Sequence, residues 1–157
     1  MARRPSRFTF FVATLAFAHF LLHIGLGLGR IAPDLLIVAT LVAARRMSAA
    51  GAVTLGFALG FVEDTLGIQG FGVRAFALGT AGFFGARSRS FVDGSGALFL
   101  PVYLFLGAWA TDALTWFLRA DAVPPEVVLQ AAIGAAWAAA AGGIAWLVFR
   151  RLAGPSA

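Results

Sequence analysis

Apolar residues fill this chain in long blocks that polar residues interrupt at only a few points. A helix crossing the hydrocarbon core of a bilayer needs about 20 mostly apolar residues. The segments 8–28, 97–118 and 127–149 meet that length plainly. Between the first two lie shorter apolar runs, 31–44, 47–63 and 73–86, separated by Arg45–Arg46 and by Glu63–Asp64. Runs of about 14–17 residues suit either short passes or re-entrant segments. Pro33-Asp34 gives the first of them a helix start, because proline suits a first turn and a carboxylate faces the positive helix end. The pattern predicts an all-α fold, a single transmembrane domain over residues 1–157 with six helices in one bundle.

Charge placement supports the count of six. With turns near 30, 46, 64–73, 87–96 and 119–126, one side holds Arg3, Arg4, Arg7, Arg45, Arg46, Arg87, Arg89, Arg150 and Arg151. The other holds only Arg30, Arg74 and Arg119. Cytoplasmic loops carry the arginine excess, so both termini are expected in the cytoplasm. Four passes would put Arg45–Arg46 or Arg87–Arg89 on the wrong side. Asp34, Glu63, Asp64, Asp121 and Glu126 fall on the outer side and Asp93 on the inner.

Composition changes the picture by exclusion. Only 12% of the 157 residues are charged and 61% are hydrophobic, against about 25% charged in soluble domains. An ordinary water-soluble enzyme is excluded, and the lipid bilayer is the expected surroundings. Cysteine is absent, which removes disulfides and thiolate chemistry. The pI near 11.5 follows from arginines that set membrane orientation, so no nucleic-acid partner is expected. Neither a nucleophile elbow, an HExxH pair nor a phosphate-binding glycine loop is present. No catalytic, cofactor-binding or metal-ligating residue is therefore assigned.

Ionisable residues at membrane depth are functional candidates. Asp112 lies inside the fifth apolar segment, and His19 and His23 share one face of the first at i, i+4. Together with Asp34 they are candidates for a polar cavity opening outward, with a His23–Asp112 contact inside it. The competing reading is structural: the histidines donate to backbone or hydroxyl groups, and Thr111, Thr115 or Trp116 caps Asp112. Small residues mark close helix approaches, as in Gly56/Gly60, Gly25/Gly29 and the series Gly134, Ala138, Gly142. Such ridges dock either a partner helix or a helix of the same bundle. GIQGFG, with Gly67, Gly70 and Gly72, is a turn at the outer surface.

The middle third resembles the MreD family of rod shape-determining bacterial inner-membrane proteins. The resemblance rests on the order Pro33-Asp34-Leu35-Leu36, the basic pair Arg45–Arg46, the small-residue helix with Gly51, Gly56 and Gly60, the pair Glu63–Asp64, and the turn leading into Ala75-Phe76-Ala77-Leu78. It implies a non-enzymatic scaffold of the cell-elongation machinery that binds MreC and helps couple the MreB filament to peptidoglycan synthesis. The wider complex includes the penicillin-binding transpeptidase and the RodA synthase. It also implies a fold similar to the substrate-binding subunits of energy-coupling-factor transporters, and such a vitamin-capturing subunit is the rival reading. The Ala-x-x-x-Ala face of those subunits is missing, since Ala13, Ala16 and Ala18 are followed four residues later by Phe17, Phe20 and Leu22. On the scaffold reading, the expected partner interface comprises Gly56, Gly60, Glu63, Asp64, Gly67, Gly70 and Gly72.

Overall fold

The computed structural model describes residues 7–28, 32–66, 71–90, 98–119 and 125–153. They form six α-helices, with no strand among the described residues: α1 (Arg7–Phe20), α2 (Leu35–Ala44), α3 (Ala49–Leu66), α4 (Val73–Arg87), α5 (Phe99–Leu118) and α6 (Pro125–Ala153). A π-helical turn, Leu21–Gly25, extends α1, and a 3₁₀ turn, Ser88–Ser90, closes α4. The expected segments correspond to these helices in order, with most ends shifted by a few residues, three of them informatively. α2 begins at Leu35, where the Asp34 side chain caps it. α3 runs through Glu63–Asp64 to Leu66, so the acidic pair occupies its last turn rather than the loop. α6 continues through Arg150–Arg151. Arg3, Arg4, Arg30, Asp93 and Asp121 lie outside the described residues, as do Gly67 and Gly70.

Among the described residues, three helices are long and apolar enough to cross a membrane: Arg7–Gly25, Ala49–Leu66 and Val128–Leu152. α3 is one of these because it runs on past the acids. α5 is not, although it has 20 residues; Pro101, Tyr103 and Asp112 dilute its apolar side chains.

α2 is the axis of the bundle. All ten of its residues are buried, and it touches each of the other five helices. A helix apolar all round belongs inside, and Leu36, Ile37 and Val38 join Leu78 and Leu104 in the core. The outside is apolar as well. Phe10, Phe17, Phe84, Phe117, Ile133 and Leu152 all project outward, an exterior that fits lipid rather than water.

α3 and α4 pack most closely. A Cβ on Gly60 would lie 2.5 Å from the Ala75 Cα. A Cβ on Gly56 would run into the Leu78 carbonyl, and one on Gly82 into that of Ala52. The Gly56/Gly60 ridge is therefore filled by α4 of the same chain. Its assignment to a partner interface is corrected: a partner helix has no access to those backbones.

Arginines tie one end of the bundle together. Arg46 lies 4.3 Å over the Phe8 ring and 5.5 Å over that of Trp146, joining the end of α2 to the start of α1 and to α6. Arg45 lies 4.7 Å over Phe99 of α5 and donates to the Ser88 hydroxyl at 3.4 Å. Arg89 donates to the carbonyls of Met47 and Arg45. These arginines, from turns far apart in sequence, thus converge on one end.

Candidate functional site: a buried ionic cluster

Two capping acids build the frame of the site. Asp34 Oδ1 accepts from the amides of Leu36 and Ile37 at 3.1 and 3.2 Å, which satisfies the exposed start of α2. Asp64, at the end of α3, caps a different helix. Its Oδ2 accepts from the amides of Gly72 and Ala75, each at 3.0 Å, and its Oδ1 from that of Arg74 at 3.3 Å. Gly72 stands at φ 90°, a left-handed conformation that other residues rarely adopt. Gly72 and the start of α4 are thereby held so that Arg74 enters the bundle.

Arg74 gathers three carboxylates. Its Nε donates to Glu63 Oε2 at 2.9 Å, its Nη1 to Asp112 Oδ1 at 3.4 Å, and its Nη2 pairs with Asp34 Oδ2. A planar guanidinium with several fixed donors suits such an arrangement better than an ammonium would. His19 faces the same acids, with Nδ1 at 3.5 Å from Asp34 Oδ1 and Nε2 at 3.9 Å from Glu63 Oε1. His23 stacks on His19 with ring centroids 4.0 Å apart. Its Nδ1 lies 3.1 Å from the His19 carbonyl; a carbonyl only accepts, so this nitrogen carries the hydrogen.

The five participating segments are in register. Counted along each from the arginine-rich end, at ~1.5 Å per residue, His19, Asp34, Glu63, Arg74 and Asp112 fall about 16–21 Å away. A cavity of about 130 Å³, lined by His19, Phe20, His23, Ile24, Glu63 and Leu66, adjoins them. Two larger apolar grooves, of about 810 Å³ between α4 and α5 and about 690 Å³ between α1 and α6, lie on the sides of the bundle.

Of the expected cavity residues, the fold brings His19, Asp34 and Asp112 into one ionic cluster, and His23 joins by stacking alone. Asp112 pairs with Arg74, not with His23. Of the caps expected for Asp112, Thr111 and Thr115 donate instead to carbonyls of their own helix. Arg74, the hub of the cluster, is in the sequence pattern only a charge on the outer side. The signal available was an arginine one residue inside an apolar helix, directly after an acidic pair and a glycine turn. Of the expected interface residues, Asp64 is buried by its capping role and Glu63 turns to Arg74.

No family model matches this chain, and neither a curated protein nor a solved structure does so.

Proposed function

We propose that this chain is a six-pass protein of the bacterial inner membrane, with cytoplasmic termini, that serves as a non-enzymatic scaffold of the cell-elongation machinery, of the MreD kind. On this reading it binds MreC and helps couple the MreB filament to peptidoglycan synthesis. The carrying observation is where the resembling segments meet. Pro33–Leu36 is distant in sequence from Glu63–Asp64 and the helix start that follows them, yet Asp34, Glu63, Asp64 and Arg74 join the two parts in one cluster. A common architecture is the simplest reason for one sequence to carry both. α2 offers only about 15 Å of helix, which is tolerable because protein rather than lipid surrounds it.

The rival transporter subunit needs room for its cargo. Small-molecule sites occupy about 300–1,000 Å³; the cavity beside the cluster holds about 130 Å³. The two grooves large enough lie on the sides of the bundle among mostly apolar side chains, away from the polar groups that would orient a cargo. That favours the scaffold. Purification from membranes in mild detergent tests it: recovery of MreC supports the reading, and recovery of an ATPase pair with a coupling subunit in its place overturns it.

A further inference from the structure

Charge does not balance inside the cluster. Asp34, Glu63, Asp64 and Asp112 bring four carboxylates to one layer of the bundle. Against them stand Arg74 and, at the end of α5, Arg119, close enough to act on Glu63 and Arg74. Counted as ionised, the four carboxylates exceed the two arginines by two, and buried charge is costly unless it is compensated. Backbone amides take up Asp64 and reach one oxygen of Asp34. Among the described residues Glu63 has Arg74 alone as a hydrogen-bond donor, and His19 stands between Asp34 and Glu63.

His19 is 2% exposed, and its Nδ1 has no hydrogen-bond partner. Its ring sits between the two acids, 3.5 Å from Asp34 and 3.9 Å from Glu63. A neutral imidazole has one N–H and can serve one of them; an imidazolium has two and serves both. The adjoining cavity of about 130 Å³ has room for a few waters, at ~30 Å³ apiece.

We propose that the cluster is a proton-binding site, in which His19 takes up one proton from cavity water and donates from Nδ1 to Asp34 and from Nε2 to Glu63. One N–H bond forms on the imidazole as a cavity hydronium gives up its proton. No electrons are transferred, and the net charge of the cluster, its carboxylates counted as ionised, goes from −2 to −1. Asp34, Glu63 and, behind Arg74, Asp112 favour uptake; Arg74 and Arg119 oppose it. A second proton on His23, stacked at 4.0 Å, would set like charges face to face, so the site takes one.

Uptake adds two ion pairs between α1 and the segments beside it. The π-turn Leu21–Gly25 follows directly, and its His23 and Ile24 line the cavity. Such widened turns recur at functional sites. Proton binding therefore draws the outer end of α1 onto the bundle, and release loosens it. This rests on the membrane reading but not on the identity of the partner, so its failure leaves the copurification result untouched.

The test uses the full chain with ¹⁵N-labelled histidine in lipid nanodiscs, His19 being assigned through His23→Gln. His19 is expected to pass from the neutral to the doubly protonated form as pH falls from about 8 to about 5. In Asp34→Asn and Glu63→Gln the change should need at least about tenfold more acid, because each variant removes a charge that favours uptake. A His19 neutral throughout that range, or a titration that neither variant moves, overturns the proposal. So does a response to sodium at fixed pH without one to acidification, which assigns the site to a metal cation. Since the chain has no cysteine, Ile24→Cys supplies a single thiol for a second measurement. Its alkylation should be several-fold slower than in the same variant carrying His19→Gln at the lower pH, and equal at the higher. Equal rates at both overturn the closure of α1.

Discussion

Every nitrogen of the Arg74 guanidinium meets a different carboxylate, supplied by three separate parts of the chain. Breaking a buried pair by removing one partner costs about 3–5 kcal/mol, because the other charge is left stranded. Arg74→Ala strands three, so its thermal midpoint in mild detergent should fall by about 6–20 °C. Arg74→Lys should recover part of that loss, since a point charge cannot fork onto three acids. An Arg74→Ala protein as stable as the parent would show that the cluster adds nothing. Asp34, Asp112 and the two histidines were legible as polar groups in apolar helices, which are conspicuous anywhere. Arg74 was not, because counting charges by side uses sign and position alone. Its contacts with Glu63 and Asp112 span 11 and 38 positions, and no local pattern encodes a meeting at that range. The choice between His19 and His23 was hidden for a related reason. Both lie on one face by spacing, and the π-turn that separates their surroundings leaves no clear mark in the sequence.

At the level of helices, the contact between α3 and α4 carries the sharpest consequence. Glycine backbones on both sides come so near that a methyl group has nowhere to go at Gly56, Gly60 or Gly82. Gly56→Ala and Gly82→Ala should each cost about 1–3 kcal/mol through overpacking. Gly134→Ala and Gly143→Ala meet nothing within 4 Å and should be neutral or gain up to about 1 kcal/mol from better helix propensity. Thermal unfolding of the four variants side by side checks this, and equal effects at all four sites would refute it. The Gly56/Gly60 spacing announced a close approach in the sequence. It could not say which helix makes it, since an internal neighbour and a partner chain ask for the same small residues. Within the series Gly134, Ala138, Gly142 the structure divides the roles: Gly142 sits on Val38 and Leu104, while Gly134 faces open space. α2 was legible as apolar and too short to span easily. Its central place required knowing where the other five helices go.

The molecule as a whole has an apolar exterior, one end tied by arginines and, about 16–21 Å from it, a layer of acids around a single guanidinium. A soluble protein reverses the first of these features. The even spacing of the cluster from one end also means that α1 to α5 alternate in direction, so successive helix ends lie at opposite ends of the bundle. If the arginine-rich end is cytoplasmic, a phosphatase that works only outside the cytoplasm should be inactive when inserted after Met47 or Asp93 and active after Ile68 or Ala122. Inversion at all four positions would mean that the arginines do not set the orientation, while the alternation of the helices would stand. Activity after Met47 together with inactivity after Asp93 would instead break the alternation, and with it the six-pass reading. The four insertions therefore separate two claims that the charge pattern alone joins: which end faces the cytoplasm, and how many times the chain passes between them.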